Sequence, residues 1–385
     1  MKTGLTSILA LGTAICACVL ATPRAEAHPA FVYTNDNANP NTVSIFAVGV
    51  QGTLTKIGTV PTGGIGGGSL FGSNRIATTT TRDFIYAANG GSNDISSFSI
   101  ERATGKLSSL GTPISTGGLD GAGVALAVTP DDQFLYAASS GGSNTVSTFS
   151  IASDGTLTPV GVPIPAGGEP DGIQVSADGS FLAVGLVGVG IDMFRIESAG
   201  GLRLVAGSPF PALGTLHGAS YVNINCKSTL LFAGHGTTGP TTVSVFSIAS
   251  DGTLSEIAGS PFIFGGSNSN VVVLGKDDHH LFVSNQVSNT ITSLDVGSAG
   301  GLTQITGSPF ADPGGSVPSG MATNRPGTLL YVANLNAVVT GFSIAENGAL
   351  APVPGSPFAT GATTALASLA VFPPRACEDD MQSSE

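Results

Sequence analysis

Residues 146–161 read VSTFSIASDGTLTPVG, and this stretch decides the fold. Its first half alternates apolar with small polar residues, so Phe149 and Ile151 fall on one face of a strand. Asp154-Gly155 interrupts the pattern where a tight hairpin needs positive φ, and TLTPVG resumes it. The stretch is a β-hairpin whose apolar face needs a neighbour to cover it. Six relatives stand elsewhere: VSIFAVGVQGTLTKIG from 43, ISSFSIERATGKLSSLG from 95, IDMFRIESAGGLRLVAG from 191, VSVFSIASDGTLSEIAG from 243, ITSLDVGSAGGLTQITG from 291 and VTGFSIAENGALAPVPG from 339. The anchor position is Phe46, Phe98, Phe149, Phe194, Phe246, Leu294 and Phe342 in turn.

Two further apolar runs precede each hairpin. In the third copy these are VALAVT (124–129) and FLYAAS (134–139), separated by the turn PDDQ. Four short strands repeated seven times, without sustained helical periodicity, predict an all-β, seven-bladed β-propeller with four antiparallel strands per blade. The mature chain begins with a second strand, AFVYTN (30–35), and finishes with a lone first strand, LASLAVFP (366–373), so both ends are expected to share one blade and close the ring. Gly-Ser-Pro-Phe recurs at 207–210, 259–262, 307–310 and 355–358, always after the fourth strand. Proline lacks a donor, so the phrase is expected to end the ladder at the blade edge and let phenylalanine pack the crossing to the next blade.

Residues 1–27 read as a cleaved export signal: Lys2, an apolar run from Leu5 to Leu20, then Ala25-Glu26-Ala27. Ile15-Cys16-Ala17-Cys18 loosely resembles a lipoprotein box, a second possibility that would leave Cys18 lipidated. No other run is long enough to span a bilayer, so the propeller, residues 28–375, is expected outside the cytoplasm without a membrane span. Past it, residues 376–385 form an acidic tail. The mature chain keeps 11 basic and 24 acidic residues, a balance that excludes nucleic acid as a partner. Cys226 and Cys377 survive cleavage, but their blades are about three apart round the ring, which argues against a disulfide unless the tail reaches across.

The second strands FVYTN (31–35), FIYAAN (84–89), FLYAAS (134–139), LFVSN (281–285) and LYVAN (330–334), with VTPDD (128–132) and VSADG (175–179) before two of them, resemble the YVTN-type repeats of the lactonase-like propeller family. That family includes 6-phosphogluconolactonases and carboxymuconate cyclases. The resemblance covers essentially the whole mature chain and implies a site at the channel mouth, on the loops that lead into the innermost strands. Enzymatic relatives often carry Pro-His there; this sequence has Pro170-Asp171, with Asn74, Val124, Ser220, Asn270, Ser319 and Ala367 at the equivalent positions.

Asp120, Glu169, Asp171, His217 and His235 all belong to loops of that face, whereas His279 and His280 sit in a turn of the opposite one. Hydrolysing a lactone needs a general base for water and a donor for the developing oxyanion. Asp171, His217 and Glu169 are the candidate catalytic groups. Arg75, Asn74, Asn270 and His235 are the candidate substrate-binding groups, Arg75 as a bidentate partner for a carboxylate or phosphate. The structural alternative is that the acids cap turns and the histidine makes a buried hydrogen bond. No spacing supports a metal, and GGIGGGS (63–69), followed by no helix, is a connector rather than a phosphate loop. The expectation is a monomer without cofactor that acts on a small anionic lactone, or else a non-catalytic module that recognises a cell-surface component.

Overall fold

The computed structural model describes residue 1 and residues 29–67, 74–119, 121, 123–212, 221–236, 239–276, 278–366 and 368–377. The leader with Cys18, Asp120, His217 and tail residues 378–385 lie outside the described residues. Seven antiparallel sheets stand in a ring, each ordered from a short innermost strand to an outer edge. The innermost strands are Ser368–Phe372 in blade 1, Ile76–Thr78 in blade 2, Val124–Val128 in blade 3, Glu169–Val175 in blade 4, Tyr221–Ile224 in blade 5, Ser269–Leu274 in blade 6 and Pro318–Thr323 in blade 7. Blade 1 is built from both ends: Phe31–Asn35 pairs antiparallel with Ser368–Phe372, Phe31 opposite Phe372 and Asn35 opposite Ser368. Among the described residues no helix is long and apolar enough to cross a membrane.

The apolar faces meet as the repeat requires. Among the described residues there are seven hydrophobic clusters, each centred on two neighbouring blades, with Tyr221 of blade 5 joining the one between blades 6 and 7. Phe149 and Ile151 of blade 3 pack with Tyr86, Ala88 and Ile95 of blade 2. Phe246 and Ile248 of blade 5 pack likewise with Phe181 and Ala183 of blade 4. All seven anchor residues are buried, and each fully buried side chain of this size removes about 2–3 kcal/mol of apolar surface cost.

Polar contacts tie the same interfaces. The second-strand tyrosine of one blade donates to a glycine carbonyl in the hairpin of the next: Tyr33 to Gly105 at 2.9 Å, Tyr86 to Gly155 at 3.1 Å, Tyr136 to Gly200 at 3.1 Å and Tyr331 to Gly52 at 2.9 Å. Blade 6 has Phe282 at that position, and Ser293 in its third strand donates to Gly348 instead, at 2.7 Å. Gly155 itself has φ of +84°, and a Cβ there would stand 2.4 Å from the Phe84 ring. Turn and neighbour therefore both require glycine.

Gly-Ser-Pro-Phe does not end the ladder; it bridges a gap in it. In blade 5 the third strand, Pro240–Ile248, pairs first with Leu254–Glu256 and then, past the phrase, with Phe262–Ser267. Between these two pairings the Ser260 hydroxyl accepts the Val245 N–H at 2.9 Å. Ser208, Ser308 and Ser356 accept the Met193, Ser293 and Gly341 N–H in the same way. The expectation that proline stops pairing is corrected: the serine oxygen substitutes for the missing carbonyl and pairing resumes beyond it.

The cysteine reading is corrected as well. Cys226, in a blade 5 turn, is disulfide-bonded to Cys377, with Cα atoms 5.4 Å apart. The tail does reach across. From Phe372, the last residue of the closing strand, five extended residues span about 17 Å. Arg375 holds the crossing by an ion pair to Asp278, whose other oxygen accepts the Cys226 N–H at 2.6 Å.

Candidate functional site

The chain enters each innermost strand on the front face of the ring and leaves it on the rear. Three ionisable side chains from three blades meet at the front of the channel. Arg75, just before Ile76–Thr78, is fully buried. Its Nη1 donates to Asn37 Oδ1 at 2.7 Å, and Asn37 reaches it from the turn between the second and third strands of blade 1, at φ of +52°. Asp171, 2% exposed, comes from blade 4. The register of its strand breaks between Pro170 and Ile173, so the carboxylate escapes strict alternation. Tyr221 opens the innermost strand of blade 5, and its hydroxyl is hydrogen-bonded to Asp171.

The electrostatics couple these groups. Burial lowers the Arg75 guanidinium to about 10, opposed by Tyr221 and by the Asp171 carboxylate. It remains charged at neutral pH. Burial, and then the Asp171 charge, push the Tyr221 phenol well above its ordinary value, opposed by Arg75. A buried charge without compensation would cost several kcal/mol, so the guanidinium and the carboxylate stabilise each other's presence in the channel. Asn74 spans the same mouth, its Nδ2 donating to the Ile173 carbonyl at 2.8 Å.

The other described candidates occupy positions of their own. Glu169 is half-buried at the rim, opposite Val187 in its sheet. Asn270 is buried in the innermost strand of blade 6, beside the break between Ser269 and Val272. His235 lies inside blade 5, with Nε2 2.9 Å from the Ser244 hydroxyl, which donates to Glu256 at 2.8 Å. The sequence reading had missed Asn37 and Tyr221. Tyr221 is one residue beyond Ser220 in the alignment of strand starts and shares its register position with Arg75, a signal that was present. Asn37 lies some forty residues from Arg75, and nothing local marks it as a partner.

Behind this layer the channel widens into a cavity of about 330 Å³, bounded by all seven innermost strands and floored by Pro374, Arg375 and Cys377. Its lining side chains are mostly aliphatic, interrupted by the amides Asn74, Gln174 and Asn223 and by hydroxyl groups such as Thr78, Thr323 and Tyr221. Gln174 Oε1 accepts the Ile224 N–H at 2.8 Å, and Asn223 Oδ1 accepts that of Leu274 at 3.3 Å, so amide side chains cap the strand edges of the next blade. Tyr221 and Asn74 of the front layer border this space, whereas Arg75 and Asp171 are not among its lining residues. Among the described residues no three His, Cys, Asp or Glu side chains converge as a metal site.

Seven sheets of four strands around a polar channel mouth define a propeller of the lactonase-like class. The sequence profile of the family "Lactonase, 7-bladed beta-propeller" matches residues 24–120, 116–202 and 240–366, and the chain belongs to that family. Among solved structures, a candidate 6-phosphogluconolactonase of Bacteroides fragilis is similar, with a TM-score of 0.71 at 18% identity over 91% of this chain and 99% of that one. The periplasmic gluconolactonase of Pseudomonas aeruginosa superposes with a TM-score of 0.67 at 16% identity, over 86% of this chain and 97% of that one. At such identities the likeness is one of fold. No curated protein matches the sequence.

Proposed function

We propose that the front of the channel hydrolyses a lactone of a small sugar acid or related anion. The observation that carries this reading is the convergence of Arg75, Asp171 and Tyr221 from blades 2, 4 and 5 in a fully buried cluster. In this scheme Asp171 takes a proton from water as the water oxygen attacks the lactone carbonyl. The charge that develops on the carbonyl oxygen is met by Arg75 or by the Tyr221 hydroxyl. Collapse breaks the ring C–O bond, and the proton held by Asp171 passes to the departing ring oxygen, giving the hydroxy acid. A buried guanidinium also suits an anionic product. His217 and Glu169, at the same face by chain position, are further candidate bases, and Asn74, Asn270 and His235 remain candidate binding groups.

Family membership supports this chemistry, as does the gluconolactonase activity ascribed to the Pseudomonas aeruginosa neighbour. Export through residues 1–27 is part of the same proposal, and a disulfide between Cys226 and Cys377 suits an oxidising compartment. The test is initial-rate hydrolysis of a lactone panel above the spontaneous background, beginning with glucono-δ-lactone. Asp171→Asn should lower kcat by about 10²–10⁴-fold, the usual loss for a general base, with circular dichroism unchanged. If the folded Asp171→Asn variant hydrolyses at the wild-type rate, Asp171 is not the base. If no lactone in the panel is turned over by the wild type, the non-catalytic recognition reading takes its place.

A further inference from the structure

Internal repetition supplies a control for one unusual residue. Among the described residues, six loops that lead into a new blade carry a residue whose N–H donates to the 2–3 loop of the blade before, Ala166 to Asn144 at 2.8 Å and Asn268 to Gly239 at 2.9 Å among them. Thr62 donates to Asn41 at 3.0 Å, Thr116 to Asn93 at 3.1 Å, Thr360 to Ala337 at 3.1 Å and Asp312 to Asn289 at 3.0 Å. Three of the six are threonine, with Ala166 and Asn268 at two others; the joint of blades 6 and 7 has aspartate. At the joint of blades 1 and 2 the hydroxyl reaches the asparagine that ends the next blade's second strand, Thr62 Oγ1 donating to Asn89 Oδ1 at 2.7 Å, whereas Thr360 Oγ1 donates to the Ala337 carbonyl at 2.9 Å although blade 1's second strand ends in Asn35. At Asp312 the corresponding asparagine is Asn334. Its Nδ2 donates to Thr340 Oγ1 at 3.1 Å and to the Val332 carbonyl at 3.3 Å. Its Oδ1 is buried with no donor in hydrogen-bond geometry, as are both carboxylate oxygens of Asp312, although the Thr340 and Asn334 side chains stand near enough to act on the carboxyl. Asp312 Oδ2 and Asn334 Oδ1 flank one point, 2.5 and 2.6 Å from where a Cβ on Gly315 would stand.

Two acceptors facing each other in a buried joint repel, and a carboxylate offers no proton. A carboxylic acid does, and its O–H would fill the place of the threonine hydroxyl. We propose that Asp312 is a protonated acid that donates to Asn334 Oδ1, making the joint of blades 6 and 7 a pH-sensitive contact that tightens on acidification. Burial raises the Asp312 carboxyl to about 6, opposed by Thr340 and Asn334. The groups facing it are Asn289 of blade 6, Gly315 of its own loop, and Asn334 and Thr340 of blade 7; no charged side chain contributes to the shift. An acid raised in the fold binds more protons folded than unfolded, so this contribution is complete below about 4 and is lost as the pH rises through about 6. The joint leads into Pro318–Thr323, whose Ser319 Oγ donates to the Leu366 carbonyl at 2.7 Å.

The test compares urea unfolding of wild type, Asp312→Thr and Asp312→Asn at pH 5 and pH 7.5. Both replacements donate to Asn334 without carrying a charge. Relative to wild type, each should gain roughly tenfold in the folding equilibrium on passing from pH 5 to pH 7.5. In the intact wild type, the Asp312 carboxyl carbon should titrate by NMR with a midpoint near 6. A wild-type midpoint near 4 would mean that the Asn334 amide is turned to donate to an ionised Asp312, and would overturn the proposal. So would a stabilisation of wild type by Ca²⁺ alone at pH 7.5 that Asp312→Thr abolishes, which would make the three oxygens a cation site.

Discussion

A single hydroxyl does at Tyr86 what a strand does elsewhere: it satisfies a carbonyl that packing has removed from water. Gly155 offers that carbonyl from the hairpin of the next blade, with the Phe84 ring against its Cα. Burial pushes the phenol's ionisation up, so it stays a donor at any pH the fold survives. Tyr86→Phe keeps the ring and orphans the carbonyl, and should cost about 1–2 kcal/mol in urea unfolding. Gly155→Ala should cost more, about 2–4 kcal/mol, because positive φ and the Phe84 ring both oppose a Cβ. If Gly155→Ala is the milder of the two, the turn is not held as described. The tyrosines were visible in the repeat, but their partners were not. Each contact joins residues 64 to 72 positions apart within the chain at Tyr33, Tyr86 and Tyr136, and local alternation carries no information about which turn a ring will meet. Arg75, Asp171 and Tyr221 share that limit: each stands at a readable strand start, yet a strained register in blade 4 decides where Asp171 points.

At the level of the element, Gly-Ser-Pro-Phe shows how one strand edge accepts two partners. The third strand of blade 5 is nine residues long, Pro240–Ile248, whereas Leu254–Glu256 covers only its final part. A hydroxyl acceptor bridges the interval before Phe262–Ser267 takes over. Ser260 also donates to Glu256 at 2.7 Å, so the bridge is anchored at both ends. Ser260→Ala leaves the Val245 N–H without that acceptor. Its amide should exchange with deuterium at least tenfold faster, while Phe232 in the centre of the sheet keeps its protection, and stability should fall by about 1 kcal/mol. Equal exchange in both proteins would return the phrase to a mere connector. The sequence marks this place clearly through a repeated proline, but proline's missing donor is compatible with either a stop or a gap. Only the serine distinguishes them, through a contact 15 residues back in the chain.

For the whole molecule, seven blades in a ring pose one question of closure, because only blade 1 is made from two distant segments. Its two ends are joined by five paired positions, from Phe31 with Phe372 to Asn35 with Ser368. That seam alone would have to resist opening of the entire ring. The tail adds a second fastening, running from the seam across the rear of the channel to blade 5, where Cys377 meets Cys226 and Arg375 meets Asp278. The bridge encloses a separation of 151 residues, and cross-linking a loop of that length removes chain entropy worth about 5 kcal/mol at most, with measured values more often 2–4. Cys377→Ser should therefore lower stability by about 2–4 kcal/mol, and Asp278→Asn in that background should lower it further by releasing both Arg375 and the Cys226 turn. The front cluster of Arg75, Asp171 and Tyr221 is at the other end of the channel from this fastening. Lactone hydrolysis by Cys377→Ser, measured well below its unfolding temperature, should then match wild type within about twofold, since the bridge touches none of the reacting groups. A loss of activity without a loss of stability would place the tail in the site and show that the two ends of the channel are coupled.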